Sequence, residues 1–271
     1  MLFIFQYTKA VISLFPSRTV AFIIGGFPVH WYGIMYLLAF VCAFIILPNI
    51  QHYRKLYLTR DEWASVISAS VIGVIVGGRL GYVLFYEPQY FAQHPLEILA
   101  VWNGGMASHG GFIGVAIALA YICWKMKLDI RKVADVAVIA VAVGLAFGRF
   151  GNFINQELYG TVTTLPWGIH IPGVEGLRHP TQIYAIIKDL FIALVCYFHL
   201  RYTQPFYRGR TAALFLMLYG VLRFFKEYLM VQDYPLIPIL GFPLSREQLL
   251  TIPIFLIGAL LWVIYNEKEE A

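Results

Sequence analysis

The chain has 271 residues, 60% hydrophobic and only 13% charged, with a formal net charge of +5. Soluble domains carry about 25% charged residues, so a water-soluble globule is excluded and an integral membrane protein is indicated, in line with a mean hydropathy of +0.71. The positive balance is read as a topology signal, because Lys and Arg accumulate in cytoplasmic loops, and not as a nucleic-acid surface.

The chain opens M-L-F-I-F-Q-Y-T-K-A-V-I-S-L-F. No basic region precedes its apolar part and no small-residue cleavage site follows, so it is not read as a cleaved signal peptide. Lys9 interrupts it, and a short helix in the membrane interface is expected, within an interfacial segment 1–29. A spanning helix needs about 20 mostly apolar residues. Seven stretches qualify: 30–50, 63–86, 108–124, 133–152, 181–200, 210–228 and 248–266. The expected fold is an all-α polytopic membrane protein of about seven transmembrane helices, one domain over 1–271, with 153–180 as an outer loop region.

Basic residues alternate between the joining loops. Arg54, Lys55 and Arg60 follow the first stretch, Lys125, Lys127, Arg131 and Lys132 the third, and Arg201, Arg208 and Arg210 the fifth. In contrast, 87–107 has no Lys or Arg and 153–180 has only Arg178. The positive-inside rule then puts the N-terminus outside and the C-terminus, N-E-K-E-E-A, in the cytoplasm. Cys42, Cys123 and Cys196 all lie in apolar stretches and read as small buried residues. Glycines at four-residue spacing, Gly73/Gly77/Gly81 and Gly144/Gly148, read as packing seams. Gly110 and Gly111 follow His109 and are read instead as bare backbone that a substrate can approach.

On this topology the intramembrane polar residues gather toward the outer side. They are Tyr32, Arg79, His109, Arg149, Asn152, Arg223 and Glu227. Ionisable groups in a bilayer are costly and mark functional sites, and planar guanidinium groups suit phosphate oxygens. An anion at this depth fits a phospholipid headgroup. Each residue also has a simpler use: an Arg near a helix end can snorkel, and Arg223 and Glu227 stand at i and i+4, the spacing of a local salt bridge. Arg149, Asn152 and Gln156 share a stripe if their helix continues. Lys188 and Asp189 sit deeper in their helix and receive no role.

The motifs H-G-G-F-I-G (His109–Gly114) and G-R-F-G-N-F-I-N-Q-E-L-Y-G (Gly148–Gly160) resemble the signature of the prolipoprotein diacylglyceryl transferase family. W-Y-G-I-M-Y, G-R-L-G-Y-V-L-F-Y, R-H-P-T-Q-I-Y and R-F-F-K-E-Y match it in order over nearly the whole chain. The resemblance implies an enzyme of the bacterial inner membrane, working on its periplasmic side. Such enzymes move the diacylglyceryl group of phosphatidylglycerol onto the lipobox cysteine of a prolipoprotein, releasing glycerol 1-phosphate, with no cofactor or metal. It implies His109, Arg149 and Arg223 as catalytic residues, and Tyr32, Arg149, Asn152, Asn155, Glu157, Gly160 and Glu227 as substrate-binding. Departures stand at Thr161, where the family commonly has Arg, at Ala185, where it has Glu, and over 229–233. Ser245-Arg246-Glu247-Gln248 keeps the Ser and Gln of a familiar S-x-G-Q but not its Gly. A paralogue with altered lipid or protein substrate, and a non-enzymatic seven-helix carrier or binding protein, are the competing expectations.

Overall fold

The computed structural model describes residues 19–101, 104–203, 205–232, 235–239, 241–266 and 268–269, without the side chains of Ser108, His109, Lys268 and Glu269. The interfacial helix expected over the first residues lies outside them. Long helices occupy all seven apolar stretches: α1 (Trp31–Ile50), α2 (Arg60–Phe85), α4 (Ser108–Met126), α5 (Ile130–Ile154), α6 (Thr181–Tyr202), α7 (Arg210–Glu227) and α8 (Arg246–Ile264). A short α3 (Pro88–Gln93) follows α2. The largest displacements from expectation are three residues, at the starts of α2 (60 against 63) and α5 (130 against 133).

Polar residues that an apolar count ignores set two of these starts. Thr59 Oγ1 accepts from Glu62 N at 3.2 Å while Thr59 N donates to Glu62 Oε2 at 2.7 Å. Ser245 and Gln248 repeat the reciprocal pair at α8, at 2.9 and 3.1 Å. Both are capping boxes, which satisfy the free amides of a first turn. Gln248 Nε2 also donates to Phe224 O at 3.2 Å, tying α8 to α7. The Ser and Gln of that motif therefore do a structural job that does not need its missing Gly.

Five of the seven helices, α1, α2, α5, α6 and α8, are long and apolar enough to cross a membrane. Large apolar side chains such as Leu37, Ile45, Ile72, Phe191 and Leu256 stand exposed along them, as lipid-facing surfaces do. Helix α7 falls short because Arg210, Arg223, Lys226 and Glu227 share its 18 residues. Among the fully described residues of α4, the apolar stretch Gly110–Met126 is shorter than these spans. Short antiparallel ribbons join the helices: β1 (Val20–Ile24) with β2 (Phe27–His30), β3 (Ile169–His170) with β4 (Leu177–Arg178), β5 (Phe206–Tyr207) with β8 (Lys268–Glu269), and β6 (Ile237–Ile239) with β7 (Phe242–Leu244).

The chain divides into two compact units, Met1–Ala43 with Ala134–Ala271, and Phe44–Val133. The second unit is built on the α2–α4 seam. A Cβ at Gly77 would lie 2.7 Å from Gly114 Cα, and one at Gly81 2.8 Å from Gly110 Cα. Gly110 is thus one side of a helix seam and not bare backbone open to a substrate; its mate is the Gly73/Gly77/Gly81 series. Without a hydrophobic force between helices in lipid, such backbone approach supplies much of the attraction. Gly77→Val is expected to lower stability by about 1–3 kcal/mol through overpacking, read as a fall in unfolding temperature in detergent. An unchanged midpoint would contradict the close approach.

Arg79 belongs to this unit and is held by four backbone carbonyls. Its Nε donates to Ile98 O at 2.9 Å, Nη2 to Glu97 O at 2.5 Å, and Nη1 to Gly104 O and Gly105 O at 2.6 and 3.2 Å. Its guanidinium stacks 4.9 Å from the Phe91 ring centre. Arg79 is therefore set apart from the other arginines of its grouping: four of its five N–H donors hold the loop after α2.

In the first unit, the N-terminal residue of α7 is held from α5. Gly209, the N-cap, has no side chain to cap with, and Asp135 takes over. Asp135 is fully buried and accepts from Gly209 N at 3.0 Å and Ala212 N at 2.9 Å. Helix α8 packs on α7 where a Cβ at Gly258 would come 2.9 Å from Ala213 O.

Candidate active site

Arg149 lies in the last turns of α5, and a chain of polar contacts runs outward from it. Arg149 Nη1 donates to Asn152 Oδ1 at 3.3 Å. Asn152 Nδ2 donates to Tyr32 OH at 3.1 Å and to Glu157 Oε1 at 2.7 Å. Asn152 is 3% exposed, and its amide is used on both sides, so it fixes where the guanidinium points. Tyr32, from the first turn of α1, reaches this point because Gly151 lets its ring pass: a Cβ there would lie 3.3 Å from Tyr32 Cδ2. Beside Arg149, a Cβ on Gly148 would meet nothing within 4 Å among the described residues. Gly148 is open backbone and not the packing contact its spacing suggests.

Helix α5 ends at Ile154, so Gln156 leaves the stripe it was expected to share with Arg149. The chain instead takes left-handed backbone at Gln156 (φ 55°) and Leu158 (φ 56°). Non-glycine residues adopt this region rarely and at a cost, which surrounding structure must hold. The start of α6 holds it. Gln182 Nε2 donates to Glu157 O and Thr181 Oγ1 to Leu158 O, both at 2.7 Å. Asn155 stands apart from the Arg149 set; its Oδ1 is buried with no hydrogen-bond partner among the described residues.

Gly160 is pinned between two further strands of chain. Its amide donates to His179 O at 2.9 Å, Thr161 N donates to Leu229 O at 2.9 Å, and His179 N donates to Thr161 O at 3.1 Å. A Cβ at Gly160 would lie 2.5 Å from Leu229 O and 2.6 Å from His179 Cβ. Only glycine fits, and its role is to let the exits of α5 and α7 and the entry of α6 meet.

On α7, Tyr219, Arg223, Lys226 and Glu227 fall on one face at i, i+4, i+7 and i+8. Tyr219 and Glu227 flank Arg223 one helical turn to either side, and Glu227 and Glu247 act on its charge. Glu227 is buried. The side chain of His109 lies outside the described residues.

These motifs run through the whole chain, and comparison with known proteins agrees with them. A family model described as prolipoprotein diacylglyceryl transferase matches residues 19–264. The chain belongs to this family. A protein of Geobacter sulfurreducens is 42% identical over 252 residues, covering 92% of this chain and 96% of its own length. One from Legionella pneumophila is 43% identical over 90% of this chain and 95% of its own. One from Polynucleobacter asymbioticus is 41% identical over 88% and 92%. Each is named phosphatidylglycerol–prolipoprotein diacylglyceryl transferase.

Within this member of the prolipoprotein diacylglyceryl transferase family, the structure brings Tyr32, Arg149, Asn152 and Glu157 into one hydrogen-bonded set and puts Arg223 beside Glu227 on α7. It adds Thr181 and Gln182, which the sequence offered only as a helix start. It also adds Lys188, whose ammonium pairs with Asp189 and lies 4.4 Å from the centre of the Tyr219 ring. The signal for Lys188 and Asp189 was present, as two charges inside an apolar helix. What was invisible was their partner on α7.

Proposed function

We propose that this chain transfers the diacylglyceryl group of phosphatidylglycerol to the lipobox cysteine thiol of a prolipoprotein, forming a thioether and releasing glycerol 1-phosphate. The observation that carries the reading is Arg149, aimed by a buried Asn152 that Tyr32 and Glu157 hold in turn, in a chain of this family. On this reading the protein is one domain of seven spans in the bacterial inner membrane, with a periplasmic N-terminus, a cytoplasmic C-terminus and the site toward the periplasm. The alternating basic loops support that orientation.

The chemistry divides among residues as follows. A free thiol has a pKa of about 8.5 and attacks as thiolate. His109 accepts the proton, the role for which a neutral imidazole is suited near pH 7. The thiolate attacks the glycerol carbon, the carbon–oxygen bond to phosphate breaks, and its electron pair goes to the phosphate oxygen. Arg149 and Arg223 meet that growing charge; a preorganised contact of this kind is worth about 3 kcal/mol. Glu227 orients Arg223, Gly160 fixes the loop, and Asn155 offers its unpartnered acceptor to a substrate donor. In phosphatidylglycerol vesicles the purified protein is expected to convert a lipobox peptide into its diacylglyceryl form with release of glycerol phosphate. A peptide whose cysteine is replaced by serine, and vesicles of phosphatidylcholine, should give no product. Lipidation without any dependence on the headgroup would sink the phosphate role; solute flux without lipidation would favour a carrier.

A further inference from the structure

Among the described residues, two buried side-chain oxygens of the first unit have no hydrogen-bond partner, Oδ1 of Asn155 and Oε1 of Gln182. Buried acceptors are nearly always matched, so an unmatched one calls for a reason. Gln182 is 2% exposed, and the direction of its amide is fixed. Its Nε2 donates to Glu157 O at 2.7 Å, and a turned amide would set two acceptors against each other. Oε1 therefore takes the other side of the amide, where no described group donates to it.

Gln182 is joined to the Arg149 set by contacts of hydrogen-bond length. Its Nε2 holds the carbonyl of Glu157, the carboxylate of Glu157 accepts from Asn152 Nδ2 at 2.7 Å, and Asn152 Oδ1 accepts from Arg149 Nη1 at 3.3 Å. Asn155 opens the same turn, just ahead of the left-handed backbone at Gln156 and Leu158. Backbone strain and unmatched acceptors both cost free energy, and costs of this kind gather at functional sites. A ligand that relieves the two oxygens must bring donors. The phosphodiester that Arg149 suits has none of its own. The headgroup glycerol attached to that phosphate has two hydroxyls.

We propose that Gln182, with Asn155, reads the hydroxyls of the lipid headgroup, each amide oxygen accepting from one of them while Arg149 holds the phosphate. This rests on the transferase reading and deepens it by naming what selects the lipid. A phosphate is common to all phospholipids and cannot choose among them. A site built to pair a substrate hydroxyl rejects the analogue that lacks it, because the buried acceptor then stays unmatched. Asn155 is the less buried of the two, and its soft terminal torsion lets its oxygen turn toward an entering headgroup.

Phosphatidylpropanol keeps the charge and the three-carbon headgroup but lacks both hydroxyls. With one lipobox peptide, kcat/KM for phosphatidylglycerol should exceed that for phosphatidylpropanol by about a hundredfold. Gln182→Met should narrow the ratio to within about tenfold, since it leaves one acceptor fewer for a propyl group to strand. Asn155→Leu should narrow it as well, and this variant decides if Gln182→Met fails to insert. Structural damage alone lowers transfer from both lipids together and leaves the ratio where it was, so an unchanged ratio in the variants that insert overturns the headgroup reading. A raised KM for the peptide with the lipid ratio intact also overturns it, and gives the oxygens to main-chain amides of the leader. A wild-type protein that uses both lipids equally well overturns it and leaves the transferase standing. Absence of transfer from phosphatidylglycerol would fell the transferase reading. Calorimetry of glycerol 1-phosphate against propyl phosphate on the solubilised full-length protein then decides the hydroxyl reading by itself: binding about tenfold tighter for the glycerol ester supports it, and equal binding overturns it.

Discussion

Arg149→Ala is expected to reduce lipobox-peptide transfer by at least about a hundredfold, the usual cost of removing one preorganised donor from a charge-developing site. The protein should still insert and keep its helix content by circular dichroism, because among the described residues the Arg149 side chain is held at its tip, through the 3.3 Å contact to Asn152. Arg149→Lys should recover little. A lysine keeps the charge but loses the planar fork that reaches both Asn152 and a phosphate oxygen. Asn152→Leu should fall between the two, since the guanidinium remains but its direction is no longer set by Tyr32 and Glu157. The decisive comparison is kcat of the three variants on one peptide and lipid. Full activity of Arg149→Ala would falsify the phosphate role.

Asp135→Ala is expected to cause the largest loss of stability, about 3 kcal/mol, from a residue far from the chemistry. Two amides of the first turn of α7 lose a charged acceptor, and a hydrogen bond to a charged group contributes about 1.5–3 kcal/mol. No local group replaces it, because the N-cap is Gly209. A carboxylate at a helix N-terminus also complements the helix dipole. Asp135→Asn keeps an acceptor without the charge and should lose about half as much. Unfolding midpoints of the two variants in one detergent test the order. Arg223 lies thirteen residues on from Arg210 along α7, about 20 Å at the helical rise. Transfer per folded molecule should therefore change far less than stability does.

The helical frame was legible because an apolar run in a membrane needs no partner to declare itself. Its ends were less so. Thr59 and Ser245 start helices through side-chain oxygens, and a hydropathy count treats both as the outside of a span. The site was legible in its types and not in its pairings. Arg79 and Arg149 carry the same signal, a guanidinium within an apolar helix. What separates them is that the chain after α2 returns four carbonyls to Arg79, a closure over eighteen to twenty-six residues that no local pattern announces. Gly110 was misread for a related reason: its spacing names a face of α4, and only the fold names α2 as what covers it. Tyr32 and Asn152 stand 120 positions apart, and the family motifs pointed to both where spacing could not join them.

The position after Gly160 shows how this framework treats variation. Thr161 gives its amide to Leu229 and its carbonyl to His179, while its side chain is exposed. The backbone at 161 is thus committed to joining three helix ends, and the side chain is committed to nothing. The Arg that the resemblance leads one to expect there and the Thr found here can both make these backbone contacts. The rim of the site is in this sense an editable surface laid over a fixed scaffold. The side chain at 161 can change from one sequence to another while the backbone contacts beneath it stay where they are.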